Sequence, residues 1–209
     1  MIKENNESLI LTSEEKILEA AQGVFVEKGF EGATMQEIAD RAAINKAALH
    51  YYFRSKEKLF EIIFGLVFKN MLIKLGGIID LELPFEKKLE KLITEYVNFF
   101  SINFSIVSFI VSEVIKRPEL IITNIEKSAL KPKIKKFLNE INLEIEAGRI
   151  KPINPHHLYM NLVSMCAFPF FAKPVLSTVL KIDNKEFKEL MSERPKIITN
   201  FILDSIRIY

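Results

Sequence analysis

The sequence predicts an all-α chain of about nine helices, and three observations support this. Apolar residues make up 49% of the 209 positions and recur mostly at three- and four-residue steps, the spacing that lines one side of a helix. Only 7 glycines and 8 prolines interrupt them, too few for a protein built from many short strands and turns. Helix-start signals are frequent, with two complete capping boxes, Thr12–Glu15 and Thr34–Glu37, in the N-terminal quarter alone.

The first helix opens at Thr12-Ser13-Glu14-Glu15, and Ile17, Ala21, Val24 and Phe25 keep one of its faces apolar. Gly29 supplies a left-handed stop, placing Phe30 to pack back on Phe25. The second box starts a helix with Met35, Ile38, Ala39 and Ala42 on one face. Only Ala43 and Ile44 separate it from Asn45, which caps a third helix carrying Lys46 and ending near Tyr52. Leu49 and Phe53 belong to the core of this small three-helix domain. Two short helices joined by so tight a turn, the second bearing small, basic and aromatic residues, form a DNA-reading helix-turn-helix.

Ser55 caps a fourth helix whose inward positions include Leu59, Ile62, Ile63, Leu66, Val67 and Ile73, running to Gly76-Gly77. The domains are therefore read as 1–54 and 55–209, joined rigidly by this helix. Pro84 opens a fifth helix through Leu89, Leu92, Ile93, Tyr96, Phe99 and Phe100. A sixth, over 104–116, is apolar on nearly every side and belongs inside a bundle, with Arg117-Pro118 ending it. The seventh covers 120–147 and stops at Gly148, with Pro132 either kinking or dividing it. The eighth is His156–Phe171, extended by a short segment after Pro174, and the ninth is Asn184–Ile208, interrupted or bent at Pro195. The last two offer more apolar surface than one small bundle can cover, so they are expected to pair with their two-fold mates as a four-helix interface. Its candidate residues are Tyr159, Leu162, Val163, Cys166, Phe170, Ile198, Phe201 and Ile202.

A net charge of +2 does not by itself announce nucleic acid, but its distribution does. Arg41, Lys46, Arg54, Lys56 and Lys58 stand against Glu57 alone between residues 41 and 58, the local footprint that phosphate binding requires. Lys127, Lys131, Lys133, Lys135 and Lys136 spread around a helix axis and read as a solvated face. The single cysteine, Cys166, excludes an internal disulfide and a Cys-pair metal site, and suits a reducing cytoplasm. The N-terminus lacks the apolar core of a signal peptide. Residues 152–172 are uncharged but hold Pro152, Pro155, Pro169, Asn154 and Asn161, and 96–112 holds serines and asparagines, so neither is read as a membrane span. No nucleophile elbow, phosphate loop, metal constellation or acid/base pair is found. No enzyme activity, cofactor or metal is expected.

With these residues set out, the N-terminal stretch resembles the TetR family of bacterial transcriptional regulators. The match runs through Gly29-Phe30, Thr34, Ile38-Ala39, then Ala42-Ala43-Ile44-Asn45-Lys46-Ala47-Ala48-Leu49-His50-Tyr51-Tyr52-Phe53-Arg54-Ser55-Lys56, and Leu59. It covers about the first quarter of the chain. Ala43 stands where the family has a turn glycine, Ala47 where it has a glycine in the reading helix, and His50 where a tyrosine is common. A left-handed turn at Ala43 would cost about 1 kcal/mol.

The resemblance implies that the third helix enters the major groove of double-stranded operator DNA. It places Thr34 at a phosphate, Asn45, Lys46, Ala47, Ala48, His50 and Tyr51 toward the groove, and Tyr51, Tyr52 and Lys56 on the backbone. It further implies an inducer cavity within the larger helical ligand-binding and dimerisation domain, where phenylalanine is in unusual excess, with 17 residues and no tryptophan. The candidates are Phe64, Phe68, Phe99, Phe100, Phe104, Phe109 and Phe137, with Ser108, Ser112 and Glu113 as polar anchors for a small hydrophobic ligand. The reading is a cytoplasmic, homodimeric regulator, a repressor released by its inducer. The alternative is a helical ligand-binding or scaffolding module with a vestigial helix-turn-helix.

Overall fold

Side chains that satisfy orphan amides fix where most of the helices begin. The computed structural model describes residues 12–116, 118 and 130–208. Among them are nine helices: α1 (Ser13–Gly32), α2 (Met35–Arg41), α3 (Lys46–Tyr52), α4 (Lys56–Asp80), α5 (Phe85–Lys116), α6 (Leu130–Glu146), α7 (Pro155–Phe171), α8 (Lys173–Leu180) and α9 (Asn184–Ile206). Thr12, Thr34 and Asp183 close full capping boxes with Glu15, Glu37 and Glu186. Asn45, Ser55 and Asn154 accept from the amides of Ala48, Lys58 and His156. An isolated antiparallel bridge joins Ile150 to Arg207.

The chain divides into two compact units, Met1–Gly65 and Leu66–Tyr209, so the division falls inside α4. The boundary read from the sequence, after residue 54, lies just ahead of that helix.

In the first unit Ile17, Ala21, Phe25, Phe30, Ile38, Leu49, Phe53, Leu59 and Phe60 are buried. Phe25 stacks on Phe30 at 5.8 Å, and Phe60 meets both rings edge-on at 6.0 and 5.5 Å. Gly29 takes φ +72°, but the chain turns once more before Ala33, whose N–H donates to the Gly29 carbonyl. The expected stop is thus a kink near the end of α1.

The second unit is built around α5, which packs against α7 and α9. Its core includes Leu89, Ile93, Val97 and Ile110 of α5, Phe137 and Ile141 of α6, Leu158 and Leu162 of α7, and Ile198, Ile202 and Ile206 of α9. The expected fifth and sixth helices are one run, bent at Asn103 (φ −107°, ψ 17°). There the Asn103 amide donates to the Phe99 carbonyl at 2.9 Å, a side-chain insertion that bends a helix without ending it. The first part of the expected seventh helix, 120–129, lies outside the described residues. Pro132 falls in the first turn of α6, which then continues to Glu146. Pro195 leaves α9 whole, because the buried Phe187 on one side and Ile198 and Ile202 on the other hold both halves in the core. The segment after Pro174 is a separate helix, α8, bent 74° from α7.

Lys88 is buried and its ammonium donates to both Glu140 oxygens at 2.6 and 2.8 Å, the pairing that a buried charge requires. Lys133, then Lys136, holds the Asp80 carboxyl well below its usual range, at about 2, tying the end of α4 to α6. The segment Phe85–Glu113 is long and apolar enough to cross a membrane, yet half of its most apolar window is buried inside the protein.

Candidate nucleic-acid interface

α2 and α3 are joined by a turn that forces Ala43 to φ +54°. The conformation lets the Ala43 amide donate to the Asp40 carbonyl at 3.1 Å and the Ile44 amide to the Ala39 carbonyl at 3.0 Å, closing the end of α2. Leu49 and Phe53 anchor α3 from beneath. Their burial leaves Asn45, Lys46, Ala47, His50, Tyr51 and Tyr52 exposed and Ala48 half-buried. Tyr51 is 83% exposed, extreme for a large aromatic side chain, and Tyr52 meets it edge-on at 5.6 Å.

The five basic residues of this region are not equivalent. Arg41 pairs with Glu27 at 2.7 Å and Lys58 with Glu61 at 3.2 Å. Lys56, expected on the DNA backbone, donates to the Phe30 and Ala33 carbonyls at 2.8 and 3.0 Å and sits 4.6 Å over the Phe30 ring. It closes the end of α1, as a cation at a helix C-terminus does. Lys46 and Arg54 have no ion-pair partner among the described residues. Arg54 is not among the contacts that the family resemblance implies, although its position just beyond α3 beside the exposed tyrosines points to it. Thr34 is a cap as well as exposed: its hydroxyl accepts from the Glu37 amide at 3.2 Å. Glu37 is held below the usual carboxylate range, first by Lys28 and then by Thr34.

The cavity candidates scatter. Phe99 lines an open cleft of about 580 Å³ with Met71, Asn98, Leu66, Ile73 and Ile102; Leu66 and Ile73, expected to point inward, are exposed. Phe64 is buried, in the first unit. Phe100 stacks on Phe170 at 6.1 Å, and Phe137 on Phe85 at 6.2 Å. Phe109 is buried, Phe104 and Ser108 are half-buried, and the exposed Ser112 donates to the Phe109 carbonyl. Glu113 is buried and paired with Lys116 at 3.0 Å. The Phe68 side chain lies outside the described residues.

The interface expectation needs correction in helix phase. Leu162, Cys166, Phe170, Ile198 and Ile202 are buried in the chain's own core, so no partner can reach them. Tyr159 and Val163 are half-buried, and Tyr159 turns inward to Tyr96. Of the eight, Phe201 alone is exposed, at 61%. The exposed apolar side chains on these helices are instead Met160, Phe168 and Phe171 of α7, Val175, Val179 and Leu180 of α8, and Leu190, Ile197 and Phe201 of α9. Cys166 is inert: burial pushes its thiol up to about 12.

The profile of bacterial regulatory proteins of the tetR family matches residues 17–63. The HTH-type transcriptional regulator YhgD of Bacillus subtilis is 30% identical over 149 residues, 66% of this chain and 72% of its own. The HTH-type negative regulator IcaR of the Staphylococcus aureus biofilm operon icaADBC is 43% identical over 47 residues, 22% of this chain and 25% of its own. A Clostridium perfringens protein assigned to the regulation of fatty acid metabolism superposes with a TM-score of 0.71 at 25% identity, covering 93% of this chain and all of that one. With its helix-turn-helix, the exposed face of α3 and a helical second unit, the chain belongs to the TetR family of bacterial transcriptional regulators, DNA-binding proteins and not enzymes.

Proposed function

We propose that this regulator is a cytoplasmic, homodimeric repressor that leaves its operator when a small hydrophobic molecule occupies its second unit. The observation that carries its DNA-reading role is the exposed row Lys46, Ala47, His50 and Tyr51 on a helix whose opposite side, Leu49 and Phe53, is buried. A helix held in this way can enter a major groove without rolling. Lys46 and Tyr51 then reach base edges or phosphates, and the small Ala47 allows close approach to a thymine methyl. Arg54 joins them on the backbone. Lys56 acts from behind, by holding the end of α1.

The exposed apolar side chains of α7, α8 and α9 support a dimer, since a patch of this kind on a water-soluble surface marks an interaction site. A dimer that reads two half-sites needs its two reading helices roughly 34–36 Å apart, one turn of DNA. The similarity to IcaR, a negative regulator, supports repression. The phenylalanine-rich second unit and the similarity to the Clostridium perfringens protein support a largely apolar inducer rich in hydrocarbon. A ligand that favours the non-binding conformer by about 2.7 kcal/mol weakens operator affinity some hundredfold.

The test is to recover the genomic fragments that the protein retains and titrate them by fluorescence anisotropy at fixed salt, with and without an apolar compound library. Enriched fragments released tenfold or more by some compound are the expected result. Enrichment that no compound reverses would make this a constitutive DNA binder. No enrichment at all would revive the vestigial helix-turn-helix reading.

A further inference from the structure

Two phenol groups meet in the second unit where its core is otherwise apolar. Tyr96 of α5 and Tyr159 of α7 share one hydrogen bond, oxygen to oxygen, at 3.1 Å. Around them, Leu92, Ile93 and Val97 of α5, Leu158 and Leu162 of α7 and Phe137 of α6 are buried, and the Phe137 ring lies 6.5 Å from that of Tyr159. Each phenol carries one O–H donor. One donates to the other, and the second has no acceptor among the described residues. A pair of phenylalanines would fill the same space without that unmet donor, whose cost is largest when it is the proton of the buried Tyr96 rather than of the half-buried Tyr159.

We propose that the Tyr96–Tyr159 pair is the polar anchor of the inducer site, donating its spare proton to a single neutral acceptor oxygen, such as a ketone or ester carbonyl, on an otherwise apolar molecule. The proposal rests on the ligand-responsive reading above and names the chemistry of that ligand. Burial raises both phenols, Tyr96 the more strongly, so they stay neutral donors. Lys88 of the same helix is already held by both oxygens of Glu140, and among the described residues no cation is bonded to either phenol. A free carboxylate is therefore disfavoured, for burying it unpaired is far more costly than burying a carbonyl. The anchor bridges α5 and α7, so an oxygen that takes the spare proton also changes how these two helices are held.

The test uses shape-matched probe pairs, 2-decanone with decane and acetophenone with cumene, plus decanoate, titrated by calorimetry into the full-length protein. The expected result is that at least one ketone binds at least tenfold more tightly than its hydrocarbon, with decanoate weaker than 2-decanone. In the double variant Tyr96→Phe with Tyr159→Phe the ketone-to-hydrocarbon ratio should collapse to within about twofold, while hydrocarbon binding persists. If the tyrosines only bolt the helices together, the variant's melting temperature moves and the ratio does not, which overturns the proposal. Hydrocarbons binding the wild type as well as ketones do overturns it too, leaving the apolar-ligand reading intact. Binding by neither member of either pair would count against both.

Discussion

The two units bury their apolar residues by different rules, and the contrast explains what each can reveal. In the DNA-binding unit α1, α2 and α3 each start at a definable cap, Thr12, Thr34 and Asn45, and bury one side. Once Asn45 fixes the start of α3, Leu49 and Phe53 must face inward and Lys46, His50 and Tyr51 outward. In the second unit, α7 and α9 are apolar on two sides, one for the chain's own core and one exposed. Composition marks such a helix as buried but not which side is which.

The sharpest break in this comparison lies between two neighbours on α9. Ile202 is 2% exposed and Phe201 61%, although about 100° of rotation is all that separates them. Ile202→Asp puts a carboxylate into the core and should cost on the order of 4 kcal/mol or more, enough to unfold the unit. Phe201→Asp should leave the protomer stable to within about 0.5 kcal/mol while abolishing the dimer and most operator binding. Urea denaturation and sedimentation of the two variants read these outcomes. A folded Ile202→Asp beside an unfolded Phe201→Asp would reverse the phase.

In the first unit the corresponding break lies on α3. Lys46→Ala combined with Tyr51→Ala should lose roughly 2–6 kcal/mol of operator affinity, taking 1–3 for each specific contact, with circular dichroism and dimerisation unchanged. An operator affinity that survives the double substitution would remove α3 from the reading role.

How much is legible in the sequence follows from the range of the interactions. Thr12, Thr34 and Asn45 act on amides three residues away, so sequence alone locates these helix starts. The positive φ of Ala43 is legible too, as the strain of replacing a turn glycine. The duty of Lys56 is not, because its acceptors, Phe30 and Ala33, lie more than twenty residues back. Nor is the Tyr96–Tyr159 pair, 63 residues apart; helical phase alone puts Tyr159 at an interface. The bend at Asn103 reads as a break, because a polar residue in an apolar helix looks the same whether its amide ends the helix or hydrogen-bonds within it.

Lys56 and Lys46 make a finer comparison, two lysines of one motif with different duties. Lys56→Met should lower the stability of the first unit by roughly 1–3 kcal/mol, the worth of charge-assisted hydrogen bonds, and leave the salt dependence of DNA binding unchanged. Lys46→Met should do the reverse: stability within about 0.5 kcal/mol and a log–log salt slope flatter by about one. A flatter slope in Lys56→Met would return that residue to the phosphate backbone.

The smallest effect expected is a gain, at the turn between α2 and α3. Ala43 holds φ +54°, where a Cβ crowds the following carbonyl at roughly 1–2 kcal/mol. Glycine removes that strain but gives the unfolded chain more freedom, about 0.4–1 kcal/mol in the opposite direction. The strain outweighs the added freedom, so Ala43→Gly should stabilise the first unit by about 0.5–1 kcal/mol. The Ala43 and Ile44 amides already close the end of α2 through Asp40 and Ala39, so glycine changes no hydrogen bond, and operator affinity should hold within about twofold. Chemical denaturation of wild type and variant at matched salt reads the gain. A loss of stability would mean that the exposed Ala43 methyl contributes more in the folded state than its strained backbone costs.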